Sequence, residues 1–371
     1  MDISQIEQMS DDELLKLYES EKKRASIEGT YQMAQKINLN SLYGAVGSEY
    51  FPFYETKMAE AITVTGQLIN RWIEESISKY LNSILETDDV DYCIAGDTDS
   101  SYIAMDRLIE KFLPGETDKN RIANFIDQFA EKKLNGVIES AVKKLAEYLN
   151  AYDHDAIAAD REAIADSAIW VAKKRYALNV LDMEGVRYKE PKMKLMGLET
   201  AKSSTPEIVR QFMEKVIYSV LNNNERETQK MIKKFRQEFN ELPVEEIAFP
   251  RTLNGMKKYR DQKTIYGPKT PIHVRAALLY NFVIKKESLE NKYQYLQDFD
   301  KVKFVYMKQP NPIYNENIFG FTHNFPRETG LHEYVDYKMM FNKTFEEPLR
   351  PIFENVGWSM KKTNKIDNFF E

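Results

Sequence analysis

Two aspartates two positions apart carry the first chemical signal, in Gly96-Asp97-Thr98-Asp99-Ser100. Carboxylate oxygens are hard donors, and a pair on one tight turn can converge on a single divalent ion. Magnesium suits such a pair, because it keeps waters and takes phosphate oxygens as further ligands. Short apolar runs flank the acids, Tyr92-Cys93-Ile94-Ala95 before and Tyr102-Ile103-Ala104-Met105 after. That context predicts a β-hairpin with the acids at its turn. A second group lies upstream. Lys36, Asn40, Tyr43 and Gly44 fall at i, i+4, i+7 and i+8, so a helix gathers them on one face. A cation, an amide, an aromatic ring and a gap could hold a triphosphate at Lys36 and accept a flat base pair over Tyr43 and Gly44.

These groups need elements to hold them. Ser10 followed by Asp11, Asp12 and Glu13 predicts a helix start, with acids in the first turn. The helix should run to about Ile27, and a second from Tyr31 to about Ala45. Apolar periodicity through Ile62, Leu68, Ile69, Trp72, Ile73, Ile77 and Leu81 predicts a long helix from Ala59 to Leu85. Residues 118–150 read as one amphipathic helical stretch. Trp170 to Met183 reads as a strand, ending at a Glu184-Gly185 turn. Ser204-Thr205-Pro206-Glu207 opens the next helix, and helices alternate with loops to the end. The fold class is α+β, an antiparallel sheet with packed helices followed by a mainly helical region.

The 371 residues are 43% hydrophobic and 30% charged, enough for two or three domains with real cores. Cys93 is the single cysteine, which excludes a disulfide scaffold and a cysteine-rich zinc site. His154, His273, His323 and His332 show no metal-ligand spacing. No apolar run approaches the roughly 20 residues of a membrane span, and the acidic start at Met1 to Glu13 is no secretory signal. A soluble, cytoplasmic protein without a membrane partner is therefore expected. Net charge is −6, yet the balance is uneven. Acids fill Glu86 to Asp99 without a base, whereas bases dominate Lys173 to Lys202 and Arg251 to Arg275. Such a chain could hold metal in one place and phosphates in others.

Lys36-x-x-x-Asn40-Ser41-x-Tyr43-Gly44, followed by Gly96-Asp97-Thr98-Asp99-Ser100, resembles the fingers-helix motif and second palm carboxylate motif of family B DNA polymerases, in family order. Asp160-Arg161-Glu162-Ala163-Ile164, Lys173-Lys174-Arg175-Tyr176-Ala177 and Lys194-Leu195-Met196-Gly197-Leu198-Glu199-Thr200 with Ser203-Ser204-Thr205-Pro206 continue the likeness. It is strongest to the replicative polymerases of T-even-type phages and covers nearly the whole chain. The resemblance implies the end of the fingers over residues 1–47, a palm over 48–203, a thumb over 204–360 and a tail over 361–371. One family motif, Asp-x-x-Ser-Leu-Tyr-Pro-Ser, which supplies the other metal-binding aspartate, has no counterpart here. The chain is thus expected to be the C-terminal subunit of a split DNA polymerase, inactive alone, although a fragment of an undivided polymerase would read the same. Its N-terminal partner chain would bring that aspartate and the exonuclease.

The resemblance also implies roles. Asp99 and Asp97 would bind two Mg²⁺ ions, with Glu162 an accessory carboxylate. Lys36 and Asn40 would hold the incoming dNTP, with Tyr43 and Gly44 beneath the new base pair. Lys173, Lys174, Arg175 and Tyr176, with Lys269, His273 and Arg275 in the thumb, would contact primer-template DNA. Ile366, Phe369 and Phe370, at i, i+3 and i+4, resemble the sliding-clamp-binding peptides of replicative polymerases, with Thr363 where many carry Gln. A phage origin would place the work in the host cytoplasm. A competing expectation is a DNA- and clamp-tethering module without catalysis, motivated by the absent aspartate. Another palm-type nucleotidyl transferase is disfavoured by the Lys36 helix.

Overall fold

A computed structural model describes Ile6, 9–153, 157–261 and 264–360. The tail residues Ile366, Phe369 and Phe370 lie outside the described residues. The fold is α+β. The chain divides into two compact units, one of Met1–Phe112 with Lys133–Ala159 and one of Leu113–Lys132 with Asp160–Glu371. The second crossing between them falls in a π-helical turn, Ala130–Leu134.

The first unit opens with helix α1, Asp11–Val46. The Glu13 carboxylate accepts from the Ser10 N–H at 2.9 Å and closes a capping box. The expected break near residue 29 is absent, and one helix replaces the two predicted. Gly29 costs about 1 kcal/mol in a helix interior but does not end one. No residue of α1 is buried. Helix α2, Thr56–Leu85, buries Ile73, Ile77 and Leu81, one stripe at four-residue spacing. It packs on helix α5, Asn135–Tyr148, which buries Ala141, Val142, Leu145 and Ala146. The Trp72 indole N–H donates to the Ala141 carbonyl at 2.9 Å. After α2 come strands β1, Cys93–Asp97, and β2, Ser100–Ile103, an antiparallel pair. Helix α3, Asp106–Phe112, follows.

The second unit contains helix α4, Lys119–Phe129. The predicted helical stretch over 118–150 is therefore α4 and α5, separated by the π turn. The sheet is strands β3, Ala163–Ala172, β4, Arg175–Met183, and β5, Val186–Met196, in the order β3-β4-β5, all antiparallel. The predicted strand from Trp170 is really two strands joined at Lys173-Lys174, because Lys174 turns the chain with φ +60°. Glu184-Gly185 turns it again, both with positive φ. Helices α6, Glu207–Leu221, and α7, Glu225–Phe239, then stack Phe212 on Phe235 at 3.9 Å between centroids. The remainder is not helix alone. Strands β6, Phe249–Thr252, β7, Lys301–Tyr306, and β8, Ile318–Phe321, form a second antiparallel sheet. Helix α8, Ile272–Lys286, packs on β7 and β8.

Candidate active site

The acidic hairpin has the shape expected of it. Asp97 pairs with Ser100 across β1 and β2, leaving Thr98-Asp99 as a two-residue turn. Thr98 sits at φ +63°, a region that β-branched residues seldom enter. The Asp99 N–H donates to the Asp97 carbonyl at 2.7 Å, and Thr98 Oγ1 donates to Asp97 Oδ1 at 3.0 Å. Asp97 is partly buried and Asp99 exposed. Helix α2 supports the turn from below. Asn70 Nδ2 donates to the Thr98 carbonyl. Ser101 Oγ donates to Glu74 Oε1 at 2.8 Å. A Cβ added at Gly96 would stand 3.0 Å from that same carboxylate oxygen, so the Glu74 side chain would have to give by a few tenths of an ångström.

Lys36, Asn40, Tyr43 and Gly44 lie on α1 as the spacing required, and all four are exposed. A Cβ at Gly44 would meet nothing within 4 Å, so the gap beside Tyr43 is real.

The second unit holds the other predicted groups. Glu162 stands just before β3 and pairs with Lys194 of β5 at 2.7 Å. Its neighbour Arg161 binds the Asp182 carboxylate and also Asp127, the latter at 2.6 Å. Arg187 reaches Asp182 at 3.1 Å. Burial pushes Asp182 up, but the bonds from Arg161 and Arg187 outweigh it and hold it below the usual carboxylate range. Lys173 and Lys174 form the exposed β3–β4 turn. Gly197, at φ +63°, is wedged under that turn, where an added Cβ would lie 2.1 Å from the Lys174 carbonyl oxygen. Arg175 pairs with Glu199 at 2.9 Å, and Lys202 shares the same carboxylate. Tyr176 differs from its neighbours. It is only 4% exposed and packs beside Trp170, so its ring serves the sheet interior rather than an outer surface.

Farther along, Lys269 is exposed at φ +60°. His273 and Arg275 stand in the first turn of α8. Burial, with the charge of Arg251, holds His273 below the usual imidazole range. The Arg275 guanidinium donates to Asn317 Oδ1 at 2.7 Å and lies over the Tyr266 ring.

The model of the family described as DNA polymerase family B matches residues 12–356. This chain belongs to that family. The DNA-directed DNA polymerase of Enterobacteria phage T4 is 34% identical over 380 residues, covering 99% of this chain and 42% of the relative. That of Escherichia phage RB69 is 36% identical over 364 residues, covering 94% and 39%. DNA polymerase II of Escherichia coli strain K12 is 24% identical over 297 residues, covering 80% and 34%. The chain thus spans about two fifths of the length of its phage relatives.

Within this family B chain, no group of three or more His, Cys, Asp or Glu that could hold a metal ion forms among the described residues. The donor set at the hairpin is Asp97 at the end of β1 and Asp99 on the turn, and carboxylate oxygens suit Mg²⁺. No helix among the described residues is long and apolar enough to cross a membrane. Several residues carry a role that the sequence reading did not assign. Asn70 and Glu74 hold the turn, Arg161 anchors the strand beside Glu162, and Glu199 restrains Arg175. The four-residue spacing of polar residues on α2 was a signal that could have revealed the first two.

Proposed function

We propose that this chain is the C-terminal part of a replicative DNA-directed DNA polymerase, completed by an N-terminal chain that brings the second metal-binding aspartate. The observation that carries the reading is the two-residue turn presenting Asp97 and Asp99 on a hairpin backed by α2. The reaction would be in-line attack of a primer 3′-hydroxyl on the α-phosphate of a dNTP. Bound Mg²⁺ ions would supply charge stabilisation for the entering and leaving oxygens. Asp99 and Asp97 would hold them, with Glu162 as an accessory acid.

Lys36 supplies a mobile point charge for the triphosphate, and Asn40 a second contact one helical turn along. Tyr43 and the open space at Gly44 give a flat floor for the new base pair. Lys173, Lys174 and Arg175 form one basic patch for DNA phosphates, and Lys269 with Arg275 another. His273, held neutral, would act there as a hydrogen-bond partner rather than a cation. The ring of Tyr176 supports its patch from within. Ile366, Phe369 and Phe370 would bind a sliding clamp.

Support for a completing chain comes from α1. Leu15, Ile27, Ile37, Leu39 and Leu42 are all exposed along a helix that buries nothing. Exposed apolar side chains in this number along one helix are what a covering chain would use. The test is primer extension with Mg²⁺, using this chain alone and mixed with a polymerase fragment carrying the Asp-x-x-Ser-Leu-Tyr-Pro-Ser motif. Extension by the mixture only is expected, and an Ile37→Asp, Leu39→Asp double variant should weaken it. Extension by the chain unaided would refute the completing partner.

A further inference from the structure

Helix α2 carries four polar residues at one spacing: Asn70, Glu74, Ser78 and Asn82. On a helix they share a single stripe. All four bind the acidic hairpin or the chain that leads into it. Asn70 Nδ2 donates to the Thr98 carbonyl, the peptide oxygen between the two aspartates. The Glu74 carboxylate accepts from Ser101 Oγ at 2.8 Å, and the Glu74 carbonyl accepts from Cys93 Sγ at 3.7 Å. Ser78 Oγ accepts from the Tyr92 N–H at 3.2 Å and donates to Asp91 Oδ1 at 3.3 Å. Asn82 closes the series, its Oδ1 accepting from the Val90 N–H at 3.1 Å and its Nδ2 donating to the Val90 carbonyl at 2.8 Å. The ladder runs in order, hairpin tip to Asn70 and base to Asn82.

The physical need for it is plain. A lone two-stranded hairpin is marginal in water, and this one carries Thr98 in a disfavoured conformation. Left to itself the turn would sample other geometries, and Asp99 would swing with it. The ladder is distinct from the adjacent apolar stripe of Ile73, Ile77 and Leu81, which α2 buries. We propose that Asn70, with Glu74, Ser78 and Asn82 behind it, is a positioning residue that fixes the Thr98-Asp99 peptide and so aims the Asp99 carboxylate. Resting on the reading of the turn as a polymerase centre, this adds the device that orients it. Gly96 belongs to the same device. A methyl there would press on the Glu74 carboxylate and disturb its bond to Ser101.

Two measurements test it. Hydrogen exchange of the 371-residue chain needs neither partner nor metal. Asn70→Ala should speed exchange of the amides of 93–103 by roughly three- to tenfold, the worth of one hydrogen bond. Exchange around Leu81 and the melting temperature should stay as in the parent. In the assembled polymerase, Asn70→Ala should lower kcat, leave KM for dNTP unchanged and raise the Mg²⁺ concentration needed for half-maximal rate. Asp99→Ala runs beside it. Asn70→Ala with parental exchange, or with faster exchange but parental kcat and Mg²⁺ requirement, would overturn the positioning role while Asp99→Ala still abolishes extension. Full extension by Asp99→Ala would instead overturn the reading of the turn itself.

Discussion

Single atoms decide several positions in this chain, and Gly197 is the clearest. Its φ of +63° and the Lys174 carbonyl beneath it leave no room for a methyl group. Gly197→Ala should destabilise the second unit by about 2–4 kcal/mol, from left-handed strain plus displacement of the basic turn. Thermal unfolding measures this, and an unchanged melting temperature would mean that the turn does not rest on Gly197. Cys93 offers a test with the opposite flavour. Burial pushes its thiol up to about 11; the Ser78 hydroxyl pulls the other way, and the Glu74 and Asp91 charges add to the rise. The thiolate is the reactive form. Alkylation at pH 8 should therefore run roughly a hundredfold slower than for an open thiol, and accelerate as pH climbs through about 11. The stability from the neutral thiol is full below the unfolded thiol range and is lost over that same climb. Fast labelling at pH 8 would show Cys93 open to solvent.

At the scale of elements, α2 is a helix of two halves. Ile77 is 2% exposed, whereas Val64, farther toward the N-terminus, is 55% exposed. Ile77→Ala should cost about 2–4 kcal/mol, and Val64→Ala no more than about 0.5 kcal/mol in the isolated chain. Chemical denaturation distinguishes the two, and equal effects would contradict the packing. Much of this level was legible in the sequence. Ile73, Ile77 and Leu81 announced their stripe by period, and the paired apolar runs around Asp97 and Asp99 announced a hairpin. What escaped lacked local markers. Lys173-Lys174 contains neither glycine nor asparagine, so the β3–β4 turn was hidden inside one apparent strand. The second sheet rests on runs as short as Ile318–Phe321, which a loop could equally carry. The break expected between Ile27 and Tyr31 does not form, because Gly29 lowers helix propensity without ending a helix. Asn70 is marked as polar by the four-residue spacing on α2, but its partner, Thr98, is 28 residues away, and that spacing does not name it.

At the scale of the whole molecule, the proposed function makes this chain one contributor to a shared chemistry. Basic turns face outward at Lys173-Lys174 and Lys269, and a long helix leaves its apolar residues uncovered. Two aspartates sit at a supported turn, and no group of three or more His, Cys, Asp or Glu able to hold a metal ion forms among the described residues. Family B membership is shown, and the carboxylate pair is the most direct point at which to test the proposed function. The decisive measurement is the single-turnover rate of primer extension by the assembled polymerase carrying Asp99→Ala in this chain. The account predicts a fall of at least about 10³-fold at saturating dNTP and Mg²⁺, with primer-template binding retained, as befits a group acting on the reacting centre. A rate equal to that of the parent would contradict it.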